Sequence, residues 1–566
     1  MGHPLDAELH SAWSAAAGVR ILLSVPDSRF RTEIIYRSIE SVVMERMAST
    51  YEWVKKNRLI LVLFAVGALA RLLYAGAIPA GFNQDEASIG YDAYAILHYG
   101  IDRNGIHLPI HLIAWGSGQN ALYAYLSMPF ILLFGLNELS VRAVNIVFGL
   151  VGMIAFYMIA KQLFKQKEAA GTAMFLIAIC PWHMMMSRWA LESNLFPTLV
   201  LLAVLFLFKS IHQPRWFTLF AITIAISLYA YGTAYFFVPV FVLGVLILFI
   251  ARKKIKLRTL LLNIGIMVVL GLPILLFLLI NRLGKGTIET WLFSIPKLTV
   301  PRVEQVSSVF QGNALQNAIR HLDQLIQVLV NQSDGLLWNA IPPYGYMYPI
   351  ALPLMVVGLY AVCVKIGSGL RTEQAIIAIW GITAVLMSLI TDININRINI
   401  VFFPLVLLTV AGLMWLKGQI KHALPVALAA FAVFFVMFCG NYFVDYPKKA
   451  GPMFYESFGD AVRYASDQTD GTIYVTNNVN MPYIYVLFYE RIDPHTFLDT
   501  VVYSNPGAPF QFVSSFGRYE FGLPAAMEPG GEAVYILSEG DPLPSDLSGY
   551  QVKEFMHYTV VSKASR

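Results

Sequence analysis

The sequence predicts an all-α polytopic membrane protein, with about eleven membrane-crossing helices and a small extracytoplasmic α/β domain at its C-terminal end. Three observations carry this. Hydrophobic residues make up 57% of the 566 positions and charged residues 13%, where a soluble protein carries about 25% charged. Apolar runs long enough to span a bilayer recur between residues 59 and 441. From about Asp445 the composition turns to that of a soluble chain.

Residues 1–57 are mixed and polar, with Arg20, Arg29, Arg31, Arg37, Arg46, Lys55 and Lys56. They lack the short apolar core and cleavage site of a signal peptide, and Gly18–Val25 is too short to span. They read as a cytoplasmic extension, and Met44 or Met47 would serve equally as a start. Spans follow at about 59–79, 140–163, 168–187, 195–210, 216–233, 235–251, 258–280, 348–366, 371–390, 398–416 and 422–441. A further apolar stretch, 121–135, is short and carries Pro129. The basic loops, such as Arg252–Arg258 and Lys417–Lys421, share a side with the N-terminus only if 121–135 does not cross. It therefore reads as an interfacial or re-entrant helix.

That parity places residues 80–139, the turn Ser187–Asn194, the turn Tyr231–Tyr235, the long connection 281–347, the turn Thr391–Arg397 and the C-terminal region on the outer side. Gln311–Val330 is periodic enough for a helix in a lid. The membrane domain spans 58–444 and the α/β domain 445–566. In the latter, Phe458–Gln468 and Pro482–Glu490 read as helices, and Thr472–Thr476, Ala533–Ser538 and Gln551–Ser562 as strands.

The net charge of +5 lies in short loop clusters, so nothing points to nucleic acid. Cys180, Cys363 and Cys439 all sit in apolar segments without zinc or disulfide spacing. No GxxxxGK[ST] is present, nor a GxGxxG following a strand, so a nucleotide-binding loop is not expected.

Four polar clusters meet the outer side. The first is Asp85, Glu86 and Asp92, directly after the first span, with Arg103, His107 and His111 further on. Charges this close to hydrocarbon are rare unless they face a wet or protein-lined cavity. Helical periodicity sets Asp85 and Asp92 on one face and turns Glu86 aside. The others are Arg142 at the second span, His183 to Asn194 with Arg188 and Glu192, and Asp392 to Asn399 with Arg397. Plainer readings exist for each. Asp85 and Glu86 could begin a solvated loop; Arg71, Arg142 and Arg397 could reach headgroups; Arg188 and Glu192, four apart, could pair on a helix. His107 and His111 have a chelating spacing but no evident third ligand. Together, carboxylates and arginines gathered on one membrane face suit a reaction on a phosphate-bearing lipid. Arginine grips phosphate through a planar fork that keeps its charge, and a carboxylate nearby acts as base.

The acidic pair after a first-span arginine (Arg71 to Asp85), Ser187-Arg188 followed by Glu192, Arg142 before the second span, and Arg397 leading to Pro404 resemble glycosyltransferases of GT-C fold that use polyprenyl-phosphate sugars. The similarity is to glycosyltransferase family 39, the protein O-mannosyltransferase and aminoarabinose transferase superfamily, and covers residues 59–420. The chain departs from the pattern at Ile89, where many relatives carry tyrosine. The resemblance implies inverting transfer from a polyprenyl-phosphate sugar to an envelope glycan, lipid or protein. Asp85 would be general base, and Arg188 and Arg397 would hold the phosphate. Glu86 would orient the acceptor or help hold a divalent cation. Arg71, Asp92, Arg142, His183 and Glu192 would line the substrate site. The rival reading from the residues is a secondary transporter or lipid flippase, which predicts inverted repeats and charges near the midplane.

Overall fold

The computed structural model describes residues 28–116, 118–300, 312–366, 369–527, 532–544 and 546–564. Gly18–Val25, and residues 301–311 of the long connection, lie outside them. The chain divides into two compact units, Met1–Leu63 and Phe64–Arg566. In the described part of the first, a helix begins at Ser28; it ends at Leu72.

In the second unit each expected apolar segment has its helix. Among the described residues, six helices are long and apolar enough to cross a membrane: Glu138–Phe164, Glu192–Ser210, Ala234–Ala251, Leu257–Arg282, Ile395–Gln419 and Ala423–Phe454. Trp216–Tyr229, Ala351–Lys365 and Thr372–Ser388 are apolar but shorter. The expected span 168–187 is broken. Its helix Lys167–Ile179 stops at Cys180, which is extended at φ −63°, ψ 120°, and a short helix Pro181–Met186 follows. The residue before a proline is driven from helical to extended geometry, and proline has no N–H to continue the ladder.

Helices Ala351–Ile366 and Phe402–Gln419 pack closest. A Cβ on Gly358 would lie 1.9 Å from the Leu408 carbonyl oxygen, and one on Gly412 would lie 2.0 Å from that of Leu354. Backbone touches backbone there because both positions lack side chains.

The loops segregate to two ends. At one, the basic connections meet: Lys417 pairs with Glu168 at 2.8 Å, and Arg252 donates to the Leu370 carbonyl at 2.7 Å. At the other sit the C-terminal sheet and the segments the sequence grouped with it. Helix Leu122–Phe134 has both ends here. Asn120 donates from its backbone to Glu192, and Arg491 donates to the Leu136 carbonyl at 3.4 Å. Helix Ala314–Asn331, capped by Asn313, turns His321, Leu325 and Val328 inward. It leaves Leu315, Ile319, Ile326 and Val330 exposed, the apolar stripe of a helix lying in a membrane interface.

The apolar helix that begins at Ala423 runs on to Phe454, past the expected change at 445. Beyond it, helices Phe458–Gln468 and Pro482–Glu490 form as expected. The strands are β1 (Ile473–Val475), β2 (Val502–Tyr503), β3 (Val513–Phe516), β4 (Tyr519–Phe521), β5 (Val534–Ser538), β6 (Tyr550–Glu554) and β7 (Tyr558–Lys563). They form one sheet in the order β6-β7-β5-β1-β4-β3-β2. Central β1 runs parallel to both neighbours, β4 and β5, and the remaining pairs are antiparallel. The expected strand Gln551–Ser562 is in fact a hairpin, β6 and β7.

Candidate active site

Helix Gln84–Tyr99 positions the first cluster. Asn83 caps it by accepting from the Asp85 N–H at 2.9 Å, and Glu86 reaches back to the Asn83 N–H at 3.1 Å. This reciprocal cap is written in the sequence as Asn-x-x-Glu. Gly100, at φ 75°, closes the other end.

The cap divides the acidic pair. Glu86 is fully buried. Its oxygens accept from Arg142 Nε at 2.8 Å and Nη2 at 2.9 Å, and from the Ala190 N–H at 2.7 Å. Every lone pair that a cation would need already faces a donor, so a cation beside Glu86 does not fit this arrangement. Among the described residues no group of three or more His, Cys, Asp or Glu side chains could hold a metal ion.

Asp85 is different. It is half-buried. Its Oδ1 accepts from Trp115 Nε1 at 2.6 Å and from Gln119 Nε2 at 3.5 Å. Burial raises its pKa above the ordinary carboxylate value; the Trp115 bond opposes the rise, and the Glu86 charge adds to it. Asp92 shares the helical face of Asp85, as periodicity places it, but not its exposure. It is buried and paired with Arg103 at 3.3 Å. Arg103 also donates to Ser88 Oγ, which donates to Gln119 Oε1, each at 2.6 Å. Asp92 thus supports Asp85 from behind.

The arginines separate in the same way. Arg142 donates to the carbonyls of Gly76, Pro79 and Gly81 besides Glu86. Arg188 is fully buried. It donates to the carbonyls of Ala70, Arg71, Leu73 and Ile78 and to Tyr442 Oη. It caps the C-terminal end of the first helix, rather than facing open space as a phosphate grip would. Arg71 performs the same task for helix Lys167–Ile179. It donates to the carbonyls of Ile177 and Ala178, and to His183 Nδ1 at 2.7 Å. His183 therefore carries its hydrogen on Nε2. The pairing of Arg188 with Glu192 across a helical turn does not arise, because the helix stops at Met186.

Arg397 is the exception. Its side chain is 30% exposed, 3.6 Å from the Asp392 carboxylate. Nη1 also donates to the Asp392 carbonyl at 3.4 Å, while Nε and Nη2 bond no described residue. The turn beneath it is pinned from the long connection: Asp334 accepts from the Ile395 N–H at 2.8 Å, and His321 Nε2 lies 3.4 Å from Asp392.

A relay of bonds connects the segment beside Asp85 to the turn that bears Arg397. Gln119 bonds Asp85, the next residue bonds Glu192, and Asn399 donates to the Ser193 carbonyl at 2.7 Å. His107 and His111 take no part as a chelating pair. Their segment is extended, and the His111 ring stacks on Phe277 at 4.4 Å.

Trp115 and Gln119 were not foreseen. They flank the turn of a hairpin, His111–Leu112 with Gln119–Asn120. Gly118 sits at φ 71° where a Cβ would lie 2.5 Å from the Leu112 carbonyl. A tryptophan beside glycines in this loop was the available signal.

Residues 120–277 match the sequence family described as dolichyl-phosphate-mannose-protein mannosyltransferase. Among solved structures, ArnT from Cupriavidus metallidurans bound to undecaprenyl phosphate aligns with a TM-score of 0.55 at 13% identity, over 90% of this chain and 98% of that one. Its apo form gives 0.53 at 13% identity, over 91% and 98%. The archaeal oligosaccharyltransferase AglB from Archaeoglobus fulgidus, with an inhibitory peptide and a dolichol-phosphate, gives 0.49 at 14% identity, over 77% and 64%. No curated protein sequence matches the chain. The chain therefore shares the fold of ArnT, and its residues 120–277 match the pattern of the mannosyltransferase family.

Proposed function

We propose that the protein is a multi-pass membrane glycosyltransferase that moves a sugar from a polyprenyl-phosphate donor to an acceptor on the outer side, with inversion. The N-terminus then lies in the cytoplasm, and the domain at 445–566 faces outward. One observation carries the reading: Asp85 is the acidic side chain of the first cluster left partly open, while Glu86 and Asp92 are locked into buried ion pairs. The likeness to ArnT supports it at the level of fold.

Asp85 takes the proton from the acceptor hydroxyl as that oxygen attacks the anomeric carbon. The bond from that carbon to the phosphate oxygen breaks, and the polyprenyl phosphate leaves with its electron pair. Arg397, whose Nε and Nη2 bond no described residue, stabilises the charge gained by the leaving phosphate. Glu86, Arg142, Arg188 and Arg71 hold the frame. The test is sugar transfer from a synthetic polyprenyl-phosphate sugar by purified protein. Neither transfer nor release of sugar from any such donor would overturn the reading.

A further inference from the structure

Helix Ala314–Asn331 divides its surface into three flanks, each about a third of a turn wide. One is docked on the protein: His321, Leu325 and Val328 are buried. The second is apolar and exposed, with Leu315, Ile319, Leu322, Ile326 and Val330. The third is polar and exposed, with Gln316, Arg320 and Gln327. An ordinary surface helix has two sides and turns its apolar one inward. Here the larger apolar set faces away from the protein.

The place of the helix says what meets the apolar flank. His321 Nδ1 donates to the Leu389 carbonyl at 2.8 Å, and Leu389 directly follows the apolar helix Thr372–Ser388. The last turns of that helix expose Ile382, Val385 and Leu386, as a spanning helix does toward lipid. Helix Ala314–Asn331 thus lies at the level where a lipid-facing surface ends. Protein, hydrocarbon and water on three sides account for its three flanks.

The same helix holds the turn that bears Arg397. His321 bonds that turn at Leu389 and approaches Asp392 at 3.4 Å. Asp334, just past the helix end, accepts from the Ile395 N–H at 2.8 Å. We propose that Ala314–Asn331 is a brace seated in the lipid leaflet at this end of the molecule. The bilayer holds the helix by its apolar flank, and the helix holds the Arg397 turn at headgroup depth. What Arg397 does there rests on the glycosyltransferase reading; the seating and the brace do not, and both are read without turnover.

The experiment is electron paramagnetic resonance on the full chain in nanodiscs of phosphatidylcholine and phosphatidylglycerol, with Cys180→Ala, Cys363→Ala and Cys439→Ala. Nitroxides are placed singly at Ile319→Cys, Ile326→Cys, Gln316→Cys and Gln327→Cys. Collisions with oxygen should prevail at the first two, and with a water-soluble nickel chelate at the others. Nickel or oxygen prevailing alike at all four overturns the seating, as does oxygen prevailing on the polar flank alone. For the brace, a nitroxide at Asn396→Cys should give a more mobile spectrum when Ile319→Glu and Ile326→Glu are added together. It should be unchanged by Gln316→Glu with Gln327→Glu, because those charges meet water while the first pair meets lipid. Ile319 and Ile326 are exposed, so the fold survives either change. An unmoved label with the first pair overturns the brace, as does equal loosening by both pairs. Seating and brace without sugar transfer from any polyprenyl-phosphate donor would remove the glycosyltransferase reading and leave this one.

Discussion

The Glu86 carboxylate and the Arg142 guanidinium form a two-point ion pair, at 2.8 and 2.9 Å, with neither side chain exposed to solvent. Removing one partner of such a pair leaves an uncompensated buried charge. Glu86→Gln or Arg142→Met should therefore destabilise the protein by about 3–5 kcal/mol. Thermal unfolding in detergent measures this. If Glu86→Gln melts like the wild type and loses only turnover, Glu86 belongs to the chemistry and not to the frame.

Asp85→Asn keeps the acceptor oxygen for Trp115 but cannot take a proton. Turnover should fall by about 10²–10⁴-fold, the usual contribution of a general base, with donor affinity retained. Transfer from a synthetic donor, with donor binding assayed in parallel, decides it. Near-normal turnover would move the base elsewhere.

The raised pKa of Asp85 has two consequences of opposite sense. As a base it must be ionised, so turnover should climb with pH through a limb lying above the ordinary carboxylate range, and Asp85→Asn should abolish that limb. For stability, an acid whose folded pKa exceeds its unfolded value stabilises the fold below the unfolded pKa and loses that contribution as pH rises through the folded one. At neutral pH the wild type should thus melt no higher than Asp85→Asn, and the two should converge as pH falls to about 4. A wild type more stable than Asp85→Asn at neutral pH would mean the carboxylate is favoured, not penalised, by its surroundings.

Arg188 and Arg397 should fail differently. Arg188→Ala strips donors from carbonyls at a helix end and should act mainly on melting temperature. Arg397→Ala should spare the fold and weaken use of the lipid donor by roughly 2–5 kcal/mol, with partial rescue by lysine, which lacks the planar fork. Melting curves and donor kinetics on both variants separate the roles; the opposite assignment of defects would exchange them.

The meeting of Gly358 and Gly412 is the sharpest steric test of the helix packing. A methyl group at either would lie about 2 Å from a carbonyl oxygen, so the helices must part. Gly412→Ala should cost about 1–3 kcal/mol, as overpacking does, whereas Gly265→Ala, with nothing within 4 Å, should be nearly silent. Equal melting of the two variants would show that the helices are not in contact.

Much of this was legible in the sequence, where a local rule governs. Asn83 with Glu86 spells a cap, Pro181 breaks a helix, and Pro482–Glu490 forms a helix at the expected bounds. The placement of basic loops at one end followed from charge. What failed were inferences carrying helical spacing past a helix end, as with Arg188 and Glu192. Others failed that assumed a polar side chain near the membrane faces substrate. Arg142 and Arg188 are instead buried against backbone carbonyls. Trp115 and Gln119 were missed because two-residue strands and single turns carry no period. Their meeting with Asp85 is also a matter of tertiary structure alone.

The backbone N–H of Phe82 bonds the carbonyl of Phe454 at 2.5 Å, and Tyr91 Oη donates to the Ile492 carbonyl across 401 residues. The helix that bears Asp85 is thus among the first segments to leave the ribosome, yet its supports are made near the end of synthesis. The partners of its buried carboxylates, Arg142 for Glu86 and Arg103 for Asp92, come early, so only these outer supports wait for the end of the chain. A chain cut short before Phe454 would lack both bonds. The helix that bears Asp85 is therefore fully braced only once the chain has been made as far as Ile492.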